Sequence, residues 1–255
     1  MNFVGIDLSW GVTSPKPNRT AAGVLTENCE LVANALLTTD DDILEFIKNY
    51  LDEGCIVGID APLVIPPNVK QRECERQLLL CKIAVFPGNR AWFVRAFGGV
   101  RGEILVDRLK ECNLQLRDFI EPKKRTSAVL EVYPYASWRV LFEGDTVPKY
   151  KNTTRKRKIQ GLTQLRKKLF EIDSPRKLRI PKNLDHKLDV DLNSLDSGSL
   201  DQLGDLLDAT IAAYTVLMYW HFGDEKCVVL GDLRRGFILT LASDCLRKTA
   251  FKRKY

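Results

Sequence analysis

Four acidic residues interrupt otherwise apolar segments of this 255-residue sequence, at places where an acid needs a specific reason to be present. They are Asp7 in FVGIDLS, Asp60 in IVGIDAP, Glu131 in VLEVYP and Asp208 in GDLLDATIAAY. A carboxylate at the end of a buried strand is unfavourable unless it is hydrogen-bonded, paired or bound to a cation. Because Mg²⁺ and Mn²⁺ prefer oxygen ligands, several acids converging from different elements indicate a divalent-metal site. Two such ions about 4 Å apart are a common device for hydrolysing phosphodiester bonds.

Further acids lie on the last long helix that the sequence predicts. Asp201, Asp205 and Asp208 are spaced i, i+4 and i+7, so they share one helix face, which Ala212 continues. A small residue one turn beyond Asp208 lets the helix approach the sheet closely and carry Asp208 toward Asp7. Asp205 is then a further candidate metal ligand.

Each of the four acids also has a purely structural interpretation. Asp7 could open a turn, Asp60 could cap the segment APLVIPP, Glu131 could pair with an arginine, and Asp208 could be an ordinary helix residue. The joint pattern favours a shared site, with all four residues as catalytic candidates.

Basic residues near these acids are candidates for binding a phosphate or stabilising charge on the scissile group. They are Arg72, Arg76, Arg90, Lys149, Lys151 and Arg155. The alternative for each is an ion pair or a place on the solvated surface. Aromatic residues flank the same stretches and are candidates for stacking on bases, with core filling as the alternative. They are Trp10, Trp92, Tyr133, Tyr135 and Trp138.

The elements that must position these residues follow from periodicity. Residues 3–7, AAGVLT and ELVANALL predict three strands, DDDILEFIKNYLDEG an amphipathic helix, CIVGID a fourth strand and SAVLEVYP a fifth. A long helix over about 200–222 and the strands CVVLG and FILTLA close the chain. These elements predict one α/β domain over 1–255, with helical insertions around 63–125 and 143–199.

The repeated Val-Gly-Ile-Asp determines the expected sheet. A meander of the first three strands is antiparallel, and the fourth strand, reached through a helix, most naturally lies parallel to the first, as we expect of the fifth. Asp7 and Asp60 then emerge side by side at the carboxyl edge, where open α/β sheets place ligands. The prediction is a mixed five-stranded sheet flanked by helices.

Composition excludes several classes of protein. The sequence contains only two histidines, His186 and His221, which argues against a Ser-His-Asp triad or a histidine-rich metal site. Seven cysteines without a Cys-x-x-Cys pair suggest core thiols rather than a disulfide framework or zinc ribbon. The sequence shows neither a signal peptide nor a window of about 18 apolar residues, so we expect a cytoplasmic protein.

The charge distribution is uneven. The net charge is +6, residues 149–168 contain no acid, and residues 185–208 are acid-rich. A basic surface facing a phosphate polymer, with an acidic spot inside it, has this pattern, although charge runs are also common on solvated faces.

Taken together, several motifs resemble the DUF429 family of predicted ribonuclease H-like nucleases. They are GIDLSWG, GIDAPL.IP followed by R.CER, PGNR, EVYPYASWRVLF, YK..TR......GL..L, and D.LDA.IAAYT before VVLGD...G.I. The resemblance implies an RNase H-like fold with parallel, adjacent first and fourth strands, and it places Asp7, Asp60, Glu131 and Asp208 at the acidic motif positions. The spacing of Asp205 and Asp208 is also similar to that in Holliday-junction resolvases.

The leading hypothesis is therefore a nuclease that binds Mg²⁺ or Mn²⁺ through these acids and Asp205 and cleaves DNA or RNA. One alternative is an actin-like nucleotide phosphotransferase or ATPase, in which DLSWG is a phosphate loop. Another is a non-catalytic nucleic-acid-binding protein, which the basic stretch fits equally well.

Overall fold

A mixed β-sheet with helices on both faces organises the fold. The computed structural model describes residues 1–12, 19–143, 146–173, 176–181 and 188–250, so parts of the predicted 143–199 insertion lie outside the described residues. The strands are β1 (Asn2–Asp7), β2 (Thr20–Thr26), β3 (Leu31–Leu37), β4 (Cys55–Asp60), β5 (Gln115–Leu116), β6 (Ala128–Glu131), β7 (Cys227–Asp232) and β8 (Gly236–Leu241). The α-helices are α1 (Asp40–Lys48), α2 (Glu73–Leu80), α3 (Arg90–Phe97), α4 (Arg101–Leu109), α5 (Pro134–Leu141), α6 (Arg155–Phe170), α7 (Ser197–Phe222) and α8 (Asp244–Thr249).

Within the described residues the main sheet has six strands in the order β3-β2-β1-β4-β6-β5. β2 is antiparallel to β1 and β3, whereas β4 is parallel to β1 and β6. The predicted mixed α/β sheet and its strand directions are confirmed, but the predicted count of five strands is wrong. The additional strand, β5, pairs parallel with β6. Its two residues are too few to show strand periodicity, and they fall within the helical insertion predicted around 63–125.

The glycines of the two Val-Gly-Ile-Asp motifs lie side by side beneath α7. Gly5 pairs with Gly58 in the parallel register, and two residues later Asp7 pairs with Asp60. A Cβ atom on Gly5 would lie 1.9 Å from the carbonyl oxygen of Ala209, and one on Gly58 would lie 2.8 Å from Val216 Cγ1. The motif therefore combines a glycine that lets the helix approach with an acid at the strand end.

Side-chain alternation along the strands divides the core between the two faces of the sheet. Phe3 and Ile56 pack with the buried residues of α6 and α7. Val4 and Ile59 point the other way and pack with the apolar faces of α1 and α4. α7 is buried along most of its 26 residues. No helix in the described part of the chain is both long and apolar enough to cross a membrane.

A two-stranded antiparallel sheet of β7 and β8 packs beside the main sheet. Its apolar residues contact α2 and α8 in a separate small core. A disulfide between Cys81 and Cys245 joins the end of α2 to α8. The expectation of core thiols therefore fails for this pair, while Cys29, Cys55 and Cys74 are buried free thiols. The two bonded cysteines are 164 residues apart, so sequence spacing carried no signal for the bond.

Candidate carboxylate site

Three elements bring four aspartates together at the carboxyl ends of β1 and β4. The parallel register sets Asp7 beside Asp60. α7 delivers Asp208 and, one turn before it, Asp205, because its backbone lies directly against Gly5. The sequence-based prediction that a close helix–sheet approach carries Asp208 toward Asp7 agrees with this arrangement.

The ammonium group of Lys151 lies at the centre of three of these carboxylates. Its Nζ is 2.9 Å from Asp7 Oδ2, 2.9 Å from Asp205 Oδ1 and 2.7 Å from Asp208 Oδ2. The side chain of Lys151 is 35% exposed, whereas that of Asp208 is only 4% exposed. Lys151 was a candidate for binding phosphate, but the structure places it as the counter-ion of the aspartates.

Asp208 is held in place by two aromatic side chains. Trp138 Nε1 donates a hydrogen bond to Asp208 Oδ1 at 2.8 Å, and the hydroxyl of Tyr150 lies 2.9 Å from both carboxylate oxygens. Trp138 is fully buried, so its role is to orient Asp208 rather than to stack on a base. Sequence reasoning missed Tyr150, although its position beside Lys151 in the segment KYK was an available signal.

Burial and mutual repulsion perturb the ionisation of the cluster. Burial raises the pKa of Asp7, Asp205 and Asp208, and Lys151 opposes this effect at each of them. Burial would lower the pKa of Lys151, but the attraction of these three carboxylates outweighs it and raises that pKa well above its ordinary value. Lys151 is therefore charged at neutral pH and favours ionised aspartates.

Asp60 differs from the other three aspartates, because no described residue makes a hydrogen bond or ion pair with its carboxylate. It lines two cavities, one of about 150 Å³ with Trp10 and Phe86 and another of about 320 Å³ with Lys149 and Lys151. Burial, followed by repulsion from Asp7 and Asp208, raises the pKa of Asp60 well above its ordinary value. Asp60 thus faces open space and has little charge compensation.

Glu131 does not join the Lys151 cluster. It pairs in register with Ile59, so its side chain points to the sheet face opposite to that of Asp60. There it accepts hydrogen bonds from Arg72 at 2.6 and 2.8 Å and from the Leu63 amide at 2.8 Å. Burial raises the pKa of Glu131 to about 7, and the two-pronged contact with Arg72 opposes this rise.

Arg72 is correspondingly a buried structural residue rather than an exposed phosphate-binding one. Its side chain is 2% exposed, and its Nε donates to Glu75 Oε1 at 2.7 Å. The Gly88 amide also donates to Glu75, so the Pro-Gly turn at residues 87–88 rests on this network. The alternative in which Glu131 pairs with an arginine is the one that the structure supports.

The other predicted basic residues lie outside the carboxylate cluster. Arg76 pairs with Glu73 on the surface of α2, and Arg90 pairs with Glu103 at 2.7 Å. Arg155 donates to the carbonyl oxygens of Asn193 and Leu195, which ties the start of α6 to the segment before α7. Lys149 is exposed in the cavity of about 320 Å³ and forms no ion pair with a described residue.

The carboxylate oxygens of these aspartates suit a hard divalent cation, although the ammonium group of Lys151 occupies the position between three of them. Among the described residues, no three acidic, cysteine or histidine side chains already enclose a metal position. Three carboxylates nevertheless converge on one cationic group, and the fourth, Asp60, has no cationic partner within hydrogen-bonding distance in the described chain. Oxygen-only donors of this kind match Mg²⁺ or Mn²⁺.

The chain is thus an α/β protein with an acidic site at the carboxyl edge of a mixed sheet. The family model described as "Protein of unknown function (DUF429)" matches residues 5–232, and the chain belongs to this family. No curated protein and no solved structure matched the chain.

Proposed function

We propose that this protein is a nuclease of RNase H-like fold that hydrolyses a nucleic-acid backbone with Mg²⁺ or Mn²⁺ as its cofactor. The observation that carries the proposal is the convergence of Asp7, Asp205 and Asp208 on one ammonium group, beside Asp60. The site lies at the carboxyl edge of a parallel strand pair, where open α/β sheets bind ligands. The strand order β3-β2-β1-β4-β6-β5 supports the RNase H-like fold.

Asp7, Asp60, Asp205 and Asp208 are the residues that would hold the cation. When bound, a divalent ion supplies charge neutralisation at the scissile phosphate and activation of water. Trp138 and Tyr150 keep Asp208 oriented toward the site through their hydrogen bonds. Asp60 lines both adjoining cavities and has no cationic partner in the described chain, so its carboxylate oxygens are available to the cation.

Lys151 must leave the cluster before a divalent ion can take its place. Its flexible and partly exposed side chain allows this movement. Outside the cluster its ammonium is a positive group beside the site and can pair with a phosphate oxygen. In the resting protein Lys151 therefore keeps the aspartates ionised and close together.

The surface around the site carries the positive charge that a phosphate backbone requires. Lys149 lines the same cavity as Asp60 and Lys151. α6 follows directly in the chain and exposes several basic residues, namely Lys156, Arg157 and Lys167. A backbone that crosses this surface gains affinity by releasing counter-ions, so binding should weaken as salt increases.

A cleavage assay with matched variants tests the proposal. Single-stranded, duplex, hybrid and branched DNA and RNA are incubated with Mn²⁺ or Mg²⁺, and Asp7→Asn is expected to abolish cleavage. Asp201→Asn is the matched control, because Asp201 lies on α7 with Asp205 and Asp208 but pairs with Lys158 instead of Lys151. Cleavage that survives Asp7→Asn would refute the assigned site.

The two alternative functions give different results in the same preparation. Metal-independent binding of nucleic acid without cleavage of any substrate would indicate a non-catalytic binding protein. A rise in melting temperature with ATP but not with nucleic acid would indicate a nucleotide phosphotransferase.

A further inference from the structure

An aromatic cluster stands beside the carboxylate site and extends to the protein surface. Trp10 contacts the rings of Phe86, Trp92, Phe93 and Phe97, with centroid distances between 5.2 and 6.2 Å. Phe93 is buried and packs with Ile65 and Val100. The cluster is therefore anchored on its inner side by a small apolar core.

The outer side of this cluster is exposed. Phe86 is 62% exposed, and its ring stacks on that of Trp92 at a centroid distance of 5.7 Å and an interplanar angle of 20°. Two parallel rings held by a rigid cluster form a flat apolar surface to which a further planar group can be added.

Phe86 forms a wall of two cavities at once. The cavity of about 150 Å³ on one side contains Asp60 of the carboxylate site. The cavity of about 480 Å³ on the other side is lined by Trp92, Lys70 and Arg95. Lys70 and Arg95 are exposed, and neither forms an ion pair within the described part of the chain. Aromatic rings, two available cations and the carboxylate site thus follow one another along the surface.

We propose that Phe86 and Trp92 form a stacking subsite for an unpaired base of a nucleic-acid strand, with Lys70 and Arg95 binding its backbone phosphates. This inference rests on the proposed function, because it supplies the strand whose adjacent phosphodiester reaches Asp60. Any base can stack on an aromatic ring, so the subsite accepts DNA or RNA without sequence preference. Bases inside a duplex are already stacked and cannot use it, so the subsite selects single-stranded or frayed substrates.

Binding of short oligonucleotides in EDTA tests the subsite separately from cleavage. The probes are oligothymidylate, oligouridylate and an abasic deoxyribose-phosphate chain of the same length and charge, followed by fluorescence anisotropy. Phe86→Leu is expected to weaken binding of both base-containing probes about tenfold and to leave the abasic probe unchanged. Phe86→Tyr, which keeps an aromatic ring, is expected to bind like the wild type.

Further variants separate base contacts from general surface effects. Phe119→Ala removes another exposed phenylalanine, which lines neither cavity, and is expected to change nothing. Replacing Lys70 and Arg95 by alanine is expected to weaken all three probes and reduce the salt dependence of binding. Equal loss of abasic and base-containing probes in Phe86→Leu, or no loss of either, would overturn the stacking subsite.

The exposed rings also allow a different occupant, a second copy of this chain. Concentration-dependent dimerisation that Phe86→Leu abolishes, without any base-dependent change in binding, would refute the subsite and assign the surface to self-association. The outcome for catalysis is separate. Base-dependent binding without any metal-dependent cleavage would support the subsite and refute the nuclease. Cleavage that is lost in Asp7→Asn, together with unchanged binding in Phe86→Leu, would support the nuclease and refute the subsite.

Discussion

Replacing Lys151 with alanine directly tests whether the aspartate cluster is a cation site. Breaking a buried ion pair costs about 3–5 kcal/mol, and breaking an exposed one about 0–1 kcal/mol. Lys151 is 35% exposed, whereas its partner Asp208 is 4% exposed, so solvent screening places the expected loss near 2 kcal/mol. For a chain of this size the melting temperature in EDTA should fall by roughly 4–8 °C.

The same variant should bind a divalent cation more tightly than the wild-type protein. In the wild type the ion must displace the ammonium and forfeit its contribution of about 2 kcal/mol, which corresponds to a roughly thirtyfold weaker affinity. Ligand binding stabilises the folded state in proportion to the logarithm of its concentration over Kd. Saturating Mn²⁺ should therefore bring the melting temperatures of the two proteins together.

Scanning calorimetry in EDTA and across a Mn²⁺ titration measures both effects, and isothermal titration calorimetry gives the affinities. Lys149→Ala is the matched control, because it removes the same charge from the same cavity without touching the aspartates. The reasoning fails if Lys151→Ala is as stable as the wild type in EDTA. It also fails if Mn²⁺ stabilises Lys151→Ala no more than it stabilises Lys149→Ala.

Three further substitutions have defined expectations. Asp60→Asn should raise the melting temperature in EDTA at neutral pH, because burial and the neighbouring carboxylates raise the pKa of Asp60 in the folded protein. An acid with a raised folded-state pKa destabilises the fold at every pH above its unfolded-state pKa. The gain in melting temperature should therefore vanish below about pH 4, where Asp60 is protonated in both states. Gly5→Ala should lower the free energy of unfolding in urea by about 3 kcal/mol or more, because its Cβ would lie 1.9 Å from a carbonyl oxygen of α7. The control Gly99→Ala should lower it much less, because the nearest atom to its Cβ would be 3.4 Å away. Arg72→Met should lose about 3–5 kcal/mol by leaving two buried glutamates without their partner, while the exposed Arg76→Met should lose under about 1 kcal/mol. Equal losses in the two arginine variants would show that the buried network is not what stabilises this region.

Local sequence patterns were sufficient to predict the frame of the site. The two continuous apolar runs that end in Val-Gly-Ile-Asp and the helix between them predict β1 and β4 as parallel neighbours, and their register sets Asp7 beside Asp60. The i, i+4, i+7 spacing likewise places Asp205 and Asp208 on one face of α7. The strands and the helix themselves are set by residues close together in the chain, so local patterns report them. β5 escaped prediction because two residues carry no period.

Only the tertiary structure decided which charges meet. Lys151 reaches Asp7 across 144 positions in the sequence, and Arg72 reaches Glu131 across 59. Glu131 leaves the aspartate cluster because strand alternation turns it to the other face, which depends on its register with β4. The sequence by itself thus determined which acids stand at the ends of buried elements. Pairing between distant segments determined which of them share a cation, because the partners come from loops whose paths no local pattern specifies.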